Sequence, residues 1–143
     1  VYYSLFNELG ANIPKPNFEE VKNQIFALTD CIDDGLVLSC HDIADGGIAS
    51  AIAEMTFGNA IGCQVKIESD LNTAKCLFSE TGGFVLEVSS GNLHEIKSVF
   101  LKHGLDIFEV GKTGGSHIKI NNALNLSMNK VNKAWKNGLR EKL

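Results

Sequence analysis

Two prolines and one arginine are all that 143 residues contain of either type, and both prolines fall in a single stretch, Ile13-Pro14-Lys15-Pro16. Beyond it no proline interrupts helix or strand. Cations are also in the minority: 13 basic residues face 17 acidic ones, the formal charge is −4, and the lysines are scattered, with Arg140 the lone arginine. A nucleic-acid surface needs clustered cations to displace counterions from phosphates, so this balance argues against one. A small anion stays open, because backbone N–H groups hold one without net positive charge. No apolar run approaches the ~18 residues of a membrane span, and no signal peptide is visible. Cys31, Cys40, Cys63 and Cys76 form no Cys-x-x-Cys, which argues against zinc. They read as reduced, buried thiols, and the expected location is the cytoplasm.

With 44% hydrophobic and 21% charged residues, the composition is that of a folded domain rather than a disordered one, and the length suits a single core. The opening VYYSLFNELGANIPKP starts without Met and ends in the two prolines, so residues 1–16 read as a linker from a preceding domain and 17–143 as the folded unit. Asn17 is a candidate N-cap for a helix carrying Phe18, Val21, Ile25 and Leu28, stopped at Asp33-Asp34-Gly35. Leu36 to Cys40 is short and continuously apolar, as in a strand covered on both faces. Ile48 to Phe57 is apolar nearly all round, which predicts a buried helix with Ser50 and Glu54 left for polar partners. Cys63, Val65 and Ile67 alternate with polar residues, and Phe84 to Val88 is another strand. A helix from Asn92 to His103 has Leu93, Ile96, Val99 and Phe100 as its stripe and Gly104 beyond its end. Ile107–Val110 and His117–Ile120 read as strands separated by Gly111-Lys112-Thr113-Gly114-Gly115. Ser127 opens a last helix with Met128, Val131, Trp135 and Leu139 on its buried side. Four or five strands and four helices without βαβ alternation give an α+β domain, helices packed on a mixed sheet.

Three stretches could carry chemistry. In Asp42-Ile43-Ala44-Asp45-Gly46-Gly47, a strand ends in two carboxylates and two glycines before a helix. Unpaired N–H groups and the positive end of the helix dipole converge there, a setting for phosphate. The aspartates would repel phosphate unless a cation intervened, so Asp42 and Asp45 suit a magnesium-nucleotide complex, or Asp45 simply caps the helix. His41 beside them is either a hydrogen-bonded core histidine or a base. Phe78-Ser79-Glu80-Thr81-Gly82-Gly83 offers hydroxyls and a carboxylate at a strand boundary, for ribose, phosphate or an ordinary turn. Gly111-Lys112-Thr113 lacks the glycine of a P-loop five positions earlier, where Asp106 stands, and precedes a strand, so it reads as a turn. No nucleophilic triad can be assigned.

The run His41-Asp42-Ile43-Ala44-Asp45-Gly46-Gly47-Ile48-Ala49, followed by Ala53-Glu54-Met55, resembles the C-terminal domain of the synthetase superfamily that includes aminoimidazole ribonucleotide synthetase. Within it the chain is most similar to the synthetase subunit of phosphoribosylformylglycinamidine synthase. Phe78-Ser79-Glu80-Thr81, the Gly-x-x-Gly-Gly turn at Gly111–Gly115 and Trp135 follow in the family's order, and Gly83 stands where the family has an Arg. The resemblance implies a ligase that uses ATP and Mg2+ to turn formylglycinamide ribonucleotide into its amidine, with ammonia from a glutaminase subunit and a small bridging subunit alongside. It also implies that the nucleotide ligands and the catalytic His lie in other domains of the synthetase. This domain alone would then be inactive, with no catalytic residue of its own. Asp42, Asp45, Gly46, Gly47, Ser79, Glu80 and Thr81 would border a nucleotide cleft. A free-standing, non-catalytic module of the same fold is the alternative.

Overall fold

The computed structural model describes residues 1–138, so Leu139, expected on the last helix, lies outside the described residues. A single 3-10 turn at Tyr3–Phe6 precedes an irregular stretch, and helix α1 (Phe18–Asp33) follows. The chain continues through β1 (Val37–Asp42), α2 (Gly47–Met55), β2 (Cys63–Val65), α3 (Thr73–Phe78), β3 (Phe84–Val88), α4 (Leu93–Lys102), β4 (Gly111–Thr113), β5 (His117–Ile120), β6 (Leu124–Ser127) and α5 (Met128–Asn137). Helices and mixed pairing make this an α+β fold, as expected. The strands form two sheets, however: β1 pairs antiparallel with β3, and the second sheet has the order β4-β2-β5-β6 with β2 and β5 parallel.

Two apolar clusters hold these sheets. One joins α2, α3, α5 and the second sheet through Ala49, Ile52, Leu77, Met128, Cys63, Val65, Ile118 and Ile120. The other joins α1 and α4 through Ala27, Leu28, Cys31, Ile96, Val99 and Phe100. β3 serves both: Phe84, Leu86 and Val88 pack toward the second cluster and Val85 toward the first, the alternation a strand imposes. Each fully buried side chain such as Leu77, Ile96 or Ile120 contributes about 1.5–3 kcal/mol.

Several helix limits follow from local chemistry. The Asn17 side chain accepts from the N–H groups of Glu19 and Glu20 and starts α1, and Gly35 at φ +68 follows its end. Ser127 accepts from Lys130 N–H and starts α5. Asn72 does the same for α3, a six-residue helix whose brief pattern sequence periodicity did not reveal.

Five expectations are corrected. The buried stripe of α1 runs through Ala27, Leu28 and Cys31, whereas Phe18 is 82% and Ile25 45% exposed. β1 is not covered on both faces: Leu38 and Cys40 are exposed, while Val37, Ser39 and His41 between them are half-buried. Cys40 is therefore not a buried thiol, unlike Cys31 and Cys63. Ile107–Val110 joins no ladder; the strand is Gly111–Thr113 itself, where glycine lets the chain close on Val65 of β2. Trp135 is 60% exposed, with the Phe57 ring 5.0 Å away.

Candidate functional site

At the end of β1 the Ile43 N–H donates to Gly83 O at 2.8 Å, which carries the β1–β3 pairing one step into the loops. The chain then turns, Gly47 N–H donating to Ala44 O at 3.0 Å. Gly46 and Gly47 take φ values of +79° and +67°, a region costing other residues about 1–2 kcal/mol. Gly47 is buried, and a Cβ there would stand 2.7 Å from Leu77 O and 2.8 Å from the backbone of Phe78. The second glycine thus serves the close approach of α2 to the last turn of α3.

That approach gathers the first two candidate stretches at one corner. The Glu80 carboxylate accepts the Gly46 N–H at 3.1 Å, so the anion at the start of α2 is supplied by the chain itself. This hydrogen bond holds Glu80 below the usual carboxyl range. Ser79 Oγ donates to Lys75 O and closes α3, and Thr81 is exposed. Gly46, in the left-handed region, is the N-cap of α2 without any side-chain cap bond, so the reading of Asp45 as cap does not hold. Asp42 and Asp45 are exposed, and among the described residues no cluster of three or more His, Cys, Asp or Glu is placed to hold a metal. Two carboxylates fit Mg2+ only where phosphates and water complete its six oxygens.

His41 bridges β1 and α2. Its Nδ1 lies 2.7 Å from Asp42 O and its Nε2 3.1 Å from the Glu54 carboxylate. Both contacts favour a proton, the carbonyl of Asp42 most of all, and the pKa is raised above 6.5. It is a hydrogen-bonded structural histidine, and Glu54 is the polar partner that the helix pattern left unassigned. Sequence reasoning missed Phe78 as a contact residue: its ring stacks on Tyr2 at 4.6 Å and 9°, laying the first residues of the chain against this corner. No spacing rule pairs residues so far apart.

The third stretch, Gly111-Lys112-Thr113, is remote and lies in β4 as an extended strand, without a phosphate cradle. Two shallow concavities, about 190 Å3 between α1 and α4 at Asp30, Asp34 and His103 and about 240 Å3 along α5, do not include the Asp42–Gly47 turn. Both are smaller than the ~300 Å3 of ordinary small-molecule sites.

Residues 4–121 match the family model described as AIR synthase related protein, C-terminal domain. Phosphoribosylformylglycinamidine synthase subunit PurL of Methanothrix thermoacetophila is 31% identical over 147 residues, covering 98% of this chain and 19% of that protein. The chain therefore spans about a fifth of the length of this relative. Among solved structures, phosphoribosylformylglycinamidine synthase II of Thermotoga maritima superposes with a TM-score of 0.71 at 21% identity, over 84% of this chain and 22% of that one. A second, T. maritima PurL complexed with ATP, gives 0.66 at 22% identity, over 78% and 21%.

Gly47→Ala is expected to lower unfolding stability by roughly 2–4 kcal/mol, from steric overlap plus the left-handed backbone. Gly82→Ala, at φ +81 with nothing within 4 Å of its Cβ, should cost only about 1–2 kcal/mol in the same denaturant titration. Equal losses would contradict the contact with α3. For His41 the raised pKa means that its stabilisation is fully present below pH 6.5 and fades as pH rises through the folded value. His41→Gln should therefore destabilise the chain most at acid pH. Urea midpoints of both proteins from pH 5.5 to 8.5 check this, and a gap that widens with pH would refute it.

Proposed function

Because this chain belongs to the family of AIR synthase related protein C-terminal domains, we propose that it serves as the C-terminal domain of an ATP-dependent carbon–nitrogen ligase of purine biosynthesis. The reaction is the conversion of formylglycinamide ribonucleotide to formylglycinamidine ribonucleotide. In that role the domain forms one wall of a nucleotide cleft, and the remaining domains of the synthetase supply the other wall and the catalytic residues. Residues 1–16 link it to the domain before it. Ammonia is supplied by a glutaminase subunit, with a small bridging subunit in the same assembly, and the assembly works in the cytoplasm.

One observation carries this reading: the Gly46 N–H bond to Glu80 unites the Asp42–Gly47 turn with the Ser79–Thr81 loop, the same two motifs on which the family resemblance rests. Asp42 and Asp45 stand exposed beside it, where carboxylates can meet Mg2+ carried on nucleotide phosphates. Magnesium would screen the aspartates from the phosphates and withdraw charge from the transferred group. The residues of this chain orient rather than react. Gly46, Gly47, Ser79, Glu80 and Thr81 shape the corner, and Glu80 keeps its charge through the Gly46 N–H. Several apolar side chains near the start, Leu5, Phe6 and Leu9, are 72%, 60% and 96% exposed, which supports contact with a neighbouring domain.

Titration of ATP with Mg2+ into the chain alone, and into the chain together with the remaining synthetase domains, tests the proposal. Binding is expected only in the combined sample, and weakened there by Asp42→Asn with Asp45→Asn. Equal binding by the isolated chain would favour a free-standing nucleotide module, and indifference of the combined sample to the double substitution would remove this corner from the cleft.

A further inference from the structure

The register of the four-stranded sheet sets Lys112 beside Gln64, Gln64 beside Lys119, and Lys119 beside Asn125. The four residues form one row across β4, β2, β5 and β6. All four are exposed, whereas Cys63, Val65, Ile118 and Ile120 on the same strands face the core. No helix among the described residues covers this outer face: α2 and α5 pack through Ala49, Ile52 and Met128 on the opposite, apolar side.

Charge is also uneven along the chain. Residues 110–138 contain five lysines, Lys112, Lys119, Lys130, Lys133 and Lys136, and no Asp or Glu. Residues 1–109 contain six lysines against sixteen acidic residues. Lys66, just past the end of β2, pairs with Glu68 at 2.7 Å, but no carboxylate among the described residues pairs with Lys112 or Lys119. With strands about 4.8 Å apart, the Cα atoms of these two lysines lie about 10 Å apart, near the screening length of physiological salt, so their mutual repulsion is modest and unanswered.

We propose that this row is a docking surface for an acidic, extended polypeptide segment of a protein partner. Carboxylates two residues apart on an extended strand are about 7 Å apart, a span that the long, flexible side chains of Lys112 and Lys119 can meet. Gln64 and Asn125 provide amide donors and acceptors between and beside them. A single-stranded nucleic acid is the poorer fit. Sheet platforms that hold one stack its bases on aromatic rings, and the row Lys-Gln-Lys-Asn contains none.

Fluorescence anisotropy of a labelled peptide of alternating Glu and Thr, titrated with the 143-residue chain, tests the surface. Saturable binding is expected, weaker at about 300 mM salt than at about 50 mM. Lys112→Glu with Lys119→Glu should weaken it at least ~10-fold, while Lys130→Glu with Lys133→Glu, of identical net charge, should change it less than ~2-fold. Lys112→Gln with Lys119→Gln, with circular dichroism to confirm folding, should still weaken binding and guards against a loss caused by misfolding. Absence of saturable binding, equal loss in the two Glu variants, or tighter binding of a single-stranded RNA oligonucleotide than of the peptide would each overturn the assignment.

Discussion

The backbone of α2 at Gly47 lies against the last turn of α3 with no space for a side chain, and the arrangement of the neighbouring groups follows from that contact. Because α3 ends there, Ser79 and Glu80 emerge beside the first N–H groups of α2. Because Gly46 is left-handed, its N–H is turned to the Glu80 carboxylate rather than to a cap on Asp45. A favourable interaction of a carboxylate with a helix N-terminus, typically about 0.3–1 kcal/mol, then ties two segments separated by 34 residues. The aspartates are left facing outward. Steric exclusion sets this geometry, and electrostatics completes it.

The two apolar clusters flank that corner. β1 and β3 form a ribbon between them, with Ser39 Oγ donating to Glu87 and His41 reaching Glu54 on one side, and Phe84 and Leu86 packed toward α1 and α4 on the other. The Asp42–Gly47 turn begins where this ribbon ends. Its position is thus fixed from three directions: the β1–β3 ladder, the α3 backbone and the His41 bridge. A turn held this way keeps its shape without a cavity of its own, which is what the proposed cleft asks of it.

Much of this was legible in the residues. Asn17, Ser127 and Gly104 marked helix limits correctly because capping depends on a few adjacent atoms, and the buried face of α4 was evident in Ile96, Val99 and Phe100. The glycine pair drew notice as a phosphate approach, but its structural demand came from α3, a helix too short to leave a period in the sequence. β4 was misplaced by four residues because Gly111 pairs through its backbone and offers no side-chain pattern to read. Phe18 and Leu38 look like core residues by type, yet lie exposed, since hydrophobicity alone does not say which layer covers a face. The meeting of Gly46 with Glu80 needed the tertiary fold, and so did the alignment of lysines across the second sheet.

The direct measurement of the central contact is the chemical shift of the Gly46 amide proton followed by NMR through acid titration. The structure requires it to move with the protonation of Glu80, with a midpoint below the ordinary glutamate value of 4.5, and Glu80→Gln to abolish the movement. A Gly46 amide indifferent to pH in this range, or one that titrates unchanged in Glu80→Gln, would contradict the account.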